Sequence, residues 1–388
     1  MNIQNIRTAQ SCATEARQAV EEFHAAVAQS KMELVVFFCS SEYNLDVLAA
    51  EINRLFAGVK VVGCTTAGEI GPAGYRSHSL SGASFPAGSC VTVSGLLDRL
   101  SQFDIARGDN FAQTLLQQLE SKAPQASPDN SFALLLIDGL SIREEPVAHT
   151  LQHSLGNITL FGGSAGDDLK FTQTCVYSDG HFHTDSAVLV LVNTSLPFKI
   201  FKTQHFVSTD ERMVVTEADP AKRIVKEING LPAAEEYARL VGVEVRDLKQ
   251  MHFAASPVVV MIDGTDYVRS IQKANADGSL TFFCAIEEGL VLRVAHGVDL
   301  VKNLEQTFDK IRAEIGSPQL VFGCDCILRN LEAAQNDLKD RVGEIFQRNN
   351  TIGFSSYGEQ FHGVHVNQTL TGCAIGADPK LVQEKRDA

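Results

Sequence analysis

The chain writes one passage three times, and this repetition constrains its fold more than any other feature. Residues 35–70 read VVFFCSSEYNLDVLAAEINRLFAGVKVVGCTTAGEI, and residues 134–168 read LLLIDGLSIREEPVAHTLQHSLGNITLFGGSAGDD. Residues 320–360 begin LVFGCDCILRN and end RNNTIGFSSYGEQ. Each copy holds an apolar strand pattern, a small polar turn, a helical stretch, a second short apolar run, and a Gly-rich, Ser/Thr-rich turn that ends in an acid. Those turns occupy 63–69, 162–167 and 353–359 and close on Glu69, Asp167 and Glu359. The spacing from Cys39 to Gly63 and from Asp138 to Gly162 is 24 residues, and the third copy stretches it to 29 between Cys324 and Gly353. A repeated supersecondary unit carrying a repeated polar turn predicts a composite pocket.

With 388 residues the chain exceeds what one core usually carries, so two or three domains are expected. The pattern divides it into an N-terminal helix (1–32), a first module of two related units (33–222), a C-terminal module (223–376) and a tail (377–388). Helical spacing of Ala9, Ala13, Ala16, Val20, Phe23 and Val27 predicts a helix over 8–29. Alternation predicts hairpins around Pro86-Ala-Gly88 and Asp179-Gly180, a long strand over 197–207, and a meander over 257–294. The composition shift near 217–233, with an Asn-Gly turn and a Pro at a helix start, marks the main boundary. The fold class is α/β, with mixed or antiparallel sheets covered by helices, built from repeated β-α-β-hairpin units in two modules. Hairpins after each unit argue against a doubly wound parallel sheet.

A formal charge of −14 without a basic block argues against nucleic acid and anionic membrane as main partners. No apolar run approaches the roughly 20 residues of a membrane span, and the N-terminus lacks a signal-peptide core. A cytoplasmic protein is the expectation. Nine scattered cysteines read as reduced thiols, not a disulfide framework.

Chemistry concentrates at the turns. Glycine lets amide groups converge on an anion, and Thr65, Thr66, Ser164, Ser355, Ser356 and Tyr357 add hydroxyls. None of the turns is a P-loop or a clean dinucleotide fingerprint, and tight turn packing explains them equally well. The acids are read as turn caps or as pocket groups. His149 with His153 and His181 with His183 have spacings that suit a metal only weakly. Cys324 and Cys326 face one side of a strand as a candidate thiol pair. Cys64 has no identifiable base, and there is no Gly-x-Ser-x-Gly elbow, so no catalytic constellation emerges. His205 lies among Phe198, Phe201 and Phe206. Such a residue is either a packed core histidine or the single imidazole that a non-covalent haem takes from an apolar wall.

The segments Val61-Val-Gly-Cys-Thr-Thr-Ala-Gly-Glu-Ile70, Phe161-Gly-Gly-Ser-Ala-Gly-Asp-Asp168, Gly353-Phe-Ser-Ser-Tyr-Gly-Glu359 and Asn367-Gln-Thr-Leu-Thr371 resemble the FIST family of intracellular sensory proteins, over roughly 33–376. Gln204–Asp210, Val214–Pro220 and Lys226–Gly230 resemble its nitric-oxide-sensing branch, NosP. The resemblance implies a non-catalytic bacterial sensor that binds haem b and reports nitric oxide to a histidine kinase or to a diguanylate cyclase or phosphodiesterase, with consequences for biofilm; it leaves a homodimer open. On this reading His205 is the first candidate iron ligand, beside Phe206, followed by His252, His296 and His362. The other reading is a sensor of a different small ligand, such as an amino acid, in a cleft lined by the Gly-rich turns.

Overall fold

The computed structural model describes residues 5–262 and 264–377. Each repeated passage builds the same half-sheet. Met32–Ser40 runs parallel to Val61–Thr66, Ser131–Ile137 to Thr159–Ser164, and Pro318–Cys326 to Thr351–Ser356. The first strand of each pair is buried on both faces almost throughout, which is why it reads as a continuous apolar run and not as an alternation. The registers coincide: Ser40 lies opposite Thr66, Ile137 opposite Ser164, and Cys326 opposite Ser356. Thr66, Ser164 and Ser356 are therefore structural equivalents, and the counterpart of Gly63 and Gly353 is Phe161, one residue before the glycine that the sequence spacing selects.

The crossovers are helical. Leu45–Leu55 and Glu144–Leu155 serve the first two units, the former started by Asn44, whose side chain accepts the Val47 N–H. The third unit uses two helices, Ile327–Gln335 and Lys339–Arg348, which accounts for its longer spacing. Two antiparallel strands complete each sheet: Leu80–Pro86 with Arg7–Ser11, Ala187–Thr194 with Cys90–Leu97, and Leu370–Gly376 with Phe198–Thr203.

The hairpin that follows each acid-tipped turn leaves its own sheet. Glu69–Gly71 and Gly74–Arg76 extend the third sheet, Val176–Ser178 and His181–His183 extend the first, and Glu359–Phe361 and Val364–Val366 extend the second. This cyclic exchange locks the three units into one pseudo-threefold body. The inner faces of the three sheets share a core in which Phe38 stacks on Phe354 at 4.7 Å and Phe85 on Phe322 at 5.8 Å. Each outer face packs under its own helices.

The third copy, expected in a separate C-terminal module, thus belongs to the same body as the other two. The second module is an insertion between Phe198–Thr203 and helix Leu300–Ile315. It holds the fourth sheet, from Phe206–Asp219 to Val291–Gly297, and has its own core around Tyr237, Phe253 and Phe282. The composition shift near 217–233 lies inside it: Ile224–Ile228, a turn at Asn229 and Gly230 with φ of 55° and 75°, and helix Ala233–Val241 entered through Pro232.

Three local expectations change. The helix predicted over 8–29 becomes strand Arg7–Ser11 and helix Ala16–Val27, because the ladder to Leu80–Pro86 outweighs the helix propensity of Ala9. The apolar runs around Pro86-Ala-Gly88 are no hairpin; they enter different sheets and share only the bridge between Ala87 and Cys90. The long strand over 197–207 breaks at Gln204 and His205, and its two halves serve different modules. No helix among the described residues is long and apolar enough to cross a membrane.

Candidate functional site

The three turns meet at the pseudo-threefold axis and close upon one another. Ala67 N–H donates to the Ser355 carbonyl and Ser355 N–H to Gly68; Gly166 N–H donates to Thr65 and Tyr357 N–H to Ser164. The hydroxyls are buried and engaged. Thr65 Oγ1 accepts from Cys175 N–H at 2.9 Å, Ser164 Oγ from Gln360 Nε2 at 2.9 Å, and Ser355 Oγ from Tyr75 at 3.0 Å. Thr66 donates to Glu69 at 2.5 Å, while Tyr357 donates to Asp167.

The acids cap. Glu69 accepts from Thr66 and from the N–H and hydroxyl of Ser79, and Glu359 accepts equivalently from Ser356 and Thr369. Asp167 accepts N–H bonds from Phe171, Thr172 and Gln173. Burial pushes Glu69 and Glu359 up to about 8 despite these bonds. The composite pocket expected at the turns is filled by the turns' own hydrogen bonds.

His205 anchors a second buried network. Arg329, 1% exposed, donates from Nη1 to His205 Nδ1 at 2.8 Å and from Nε to Asp325 at 2.6 Å. His205 Nδ1 is therefore the acceptor, and Nε2–H donates to Glu332 at 2.8 Å. Desolvation lowers the His205 pKa, in keeping with a neutral ring. The Phe206 ring packs beside it at 4.2 Å. Both ring nitrogens are thus in use and the side chain has no exposed surface, so His205 in this arrangement offers no lone pair to haem iron.

Among the alternatives, His252 accepts the Lys249 N–H on Nδ1, while His296 and His362 are exposed. No group of three or more His, Cys, Asp or Glu among the described residues could hold a metal, which covers the pairs 149/153 and 181/183. Burial pushes the thiols of Cys64, Cys324 and Cys326 well up, away from the thiolate that redox or nucleophilic chemistry needs.

A third polar region differs in kind. It lies where the inserted module meets the body. Strand Thr265–Arg269 packs along Val364–Val366, the outer strand of the exchanged hairpin. A cleft of about 360 Å³ opens there between Glu145, Pro146, His149, Arg269, Gly363, Val364 and His365. Behind it, several buried polar atoms have no hydrogen-bond partner among the described residues: Gln360 Oε1, both side-chain polar atoms of Asn367, and Arg269 Nε; His365 Nε2 has none of good geometry either, although the ring interacts with the Phe283 backbone. Gln360 and Asn367 are fully buried and His365 is 1% exposed. Gln360 Nε2 lies 3.2 Å from His365 Nδ1, which leaves the His365 proton on Nε2. The absence of a Cβ at Gly358 admits this ring: a Cβ there would lie 2.3 Å from His365 Cε1. Burial holds the His365 pKa down to about 4.

The same seam carries an ionic latch. Arg223 donates to Glu144 at 2.7 Å, to Glu145, and to the Phe283 carbonyl at 2.6 Å, while Glu145 accepts the Ala285 N–H at 2.6 Å. Native proteins leave few buried polar groups unpaired, and a cluster of them beside a cleft calls for a missing partner. Sequence reading finds Asn367 only as part of a motif and His365 only as a histidine that lies, with His362, just past the third Gly-rich turn, and it misses Gln360, Arg269, Arg223 and Glu145. Their meeting depends on hairpin exchange and on a module inserted far away in sequence.

Two family models cover the chain: the FIST N domain matches residues 33–231 and the FIST C domain residues 233–362. No curated protein matches. Among solved structures, a cyanuric acid hydrolase from A. caulinodans aligns over 97% of this chain and 99% of its own, with TM-score 0.39 and 8% identity. A second cyanuric acid hydrolase aligns over 76% and 99%, with TM-score 0.33 and 10% identity. Likenesses this weak transfer no chemistry.

Proposed function

This chain belongs to the FIST family, small-ligand sensory domains of signalling proteins, and from that premise we propose that it senses a small polar molecule bound in the cleft between the inserted module and the threefold body. The observation that carries this reading is the cluster of buried polar atoms on Gln360, Asn367 and Arg269 that lack partners among the described residues, around His365 and beside an open cleft. A ligand there touches Arg269 on one module and His365 on the other. Its binding free energy therefore bears on the seam that the Arg223 latch holds, and a shift of that seam is the signal offered to a partner. The chain acts without catalysis in this reading.

Haem-based nitric oxide sensing, with a histidine kinase or cyclic-di-GMP enzyme as partner, is the finer form that the NosP resemblance implies. With His205 committed to Arg329 and Glu332, the support for it moves to His362, which adjoins Gly363 on the cleft wall. Two measurements separate the forms. Titration calorimetry with a panel of small polar metabolites should find a ligand whose binding His365→Leu abolishes; binding unaffected by that change removes the cleft from the account. Absorption spectra of the haem-titrated wild type, His205→Leu and His362→Leu should change with His362 alone if the haem form holds, and an intact Soret band in His362→Leu sinks it.

A further inference from the structure

We propose that the outward face of the inserted module's sheet docks a protein partner that presents an apolar patch bordered by carboxylates. This rests on the chain reporting to a partner, and not on which ligand fills the cleft. Register assembles the face from three neighbouring strands. Val214 lies opposite Val291. Val260 pairs with Leu292, so Met261, one step on, falls next to Val291. The three side chains are 38%, 46% and 46% exposed. Their chain neighbours Met213, Leu292 and Val260 point the other way, into the module's own core, so the exposed row is the opposite side of fully packed strands.

Two residues along, Arg212 lies opposite Arg293 on the same face. Like charges placed directly opposite are destabilising, yet among the described residues neither guanidinium has a hydrogen bond or an ion pair. Glu211 alternates to the other face, where it acts on Arg239. In a chain of formal charge −14, this arginine pair reverses the local sign. Asp266 stands across from Met261 at the far end of the row, so the positive charge is confined to one side.

Nearer the body the same face is closed. Phe206, Val259, Val268 and Ala295 form a buried cluster there, and a Cβ on Gly297 would lie 3.6 Å from Glu332 Oε1. The open part is an apolar stripe flanked by cations, the complement of an apolar patch flanked by acids. The occupant is a protein, because two arginines on so acidic a chain do not offset its repulsion from a nucleic acid or an anionic membrane, whereas the apolar row gains from burial against apolar side chains. Strand Val258–Ile262 also pairs with Thr265–Arg269, the strand at the seam, so docking face and cleft share one sheet.

The test selects short displayed peptides on the full chain and measures synthetic copies of the binders by fluorescence anisotropy. The expected binders combine Asp or Glu with Leu, Ile, Val or Phe. Val291→Ser, and Arg212→Gln together with Arg293→Gln, should each weaken them about tenfold or more, the scale of an interface hot spot, with the urea midpoint of unfolding unchanged. Arg212→Glu together with Arg293→Glu should lose the acidic peptide and gain its copy in which Lys replaces each acid, a reversal that a damaged sheet cannot give. Binders without acids, binding unmoved by these substitutions, or no binder at all overturns the docking face. So does binding of the wild type to phosphatidylglycerol vesicles, or self-association that Val291→Ser abolishes. Calorimetry of the cleft ligand should give the same affinity in Val291→Ser as in the wild type, so the docking face can fall with the cleft intact, and the cleft with the docking face intact.

Discussion

Two buried histidines sit in this molecule in opposite circumstances. His205 has a donor on one nitrogen and an acceptor on the other, inside a chain that runs Asp325, Arg329, His205, Glu332. Among the described residues His365 has one side-chain hydrogen bond, from Gln360, and an interaction with the Phe283 backbone short of good hydrogen-bond geometry, next to an Asn367 whose side chain has no partner. Both rings are buried and both have pKa values lowered by desolvation. The difference lies in satisfaction. A closed network fixes how the inserted module leaves the third sheet; an open one marks where something from outside completes the set.

The largest effect should come from breaking the closed network. Arg329→Met leaves Asp325 and Glu332 without their cation and should cost about 3–5 kcal/mol of unfolding free energy in urea. His205→Leu should follow closely, because it strands Arg329. A cost under about 1 kcal/mol for either would erase the contrast.

The same substitution at the open site should behave differently. His365→Leu removes a polar atom that lacks a hydrogen bond of good geometry, and Gln360 Nε2 keeps its bond to Ser164. Stability should change by about 1 kcal/mol or less, since replacing unsatisfied polar atoms by apolar ones is near neutral, while ligand binding is lost. Severe destabilisation by His365→Leu would mean that its role is structural.

A separate prediction concerns pH. Glu69 and Glu359, raised to about 8, hold their protons in the folded state over a range in which the unfolded chain has released them. Their contribution is full at low pH and is lost as pH rises from about 4.5 to about 8. His365, lowered to about 4, contributes in the opposite sense, and its share is lost as pH falls from about 6.5 to about 4. Between about 6.5 and 8 these acids act, joined by Glu144, which burial raises to about 7, so wild-type stability should fall across that window. Glu69→Gln and Glu359→Gln should each flatten the fall, and an unchanged slope in both would refute the burial account of these acids.

How much of this was legible in the chain follows the same division. The three-fold passage and the strand and helix of each unit depend on local pattern and are where the pattern puts them, with the second turn set one residue off; of the two readings of the acids, the capping one matches their hydrogen bonds. The extra helix behind the 29-residue spacing is legible too, as a length. What escapes is topology. Nothing in 69–76, 176–183 or 359–366 says that each hairpin pairs with a neighbouring unit's sheet, because exchange preserves every local preference. For that reason Gln360 meets Ser164 and Arg269 meets His365 unannounced. His205 stands out among its phenylalanines, but its partners lie more than a hundred residues away on helix Ile327–Gln335.

Hydrogen–deuterium exchange on the full chain, with and without the ligand found by calorimetry, should show new protection in Thr265–Arg269 and Val364–Val366, the strands that face each other across the seam, and little change around Phe206 and Ile327–Gln335. Protection confined to the His205 region, with the seam strands unchanged, would contradict the seam as the ligand's site.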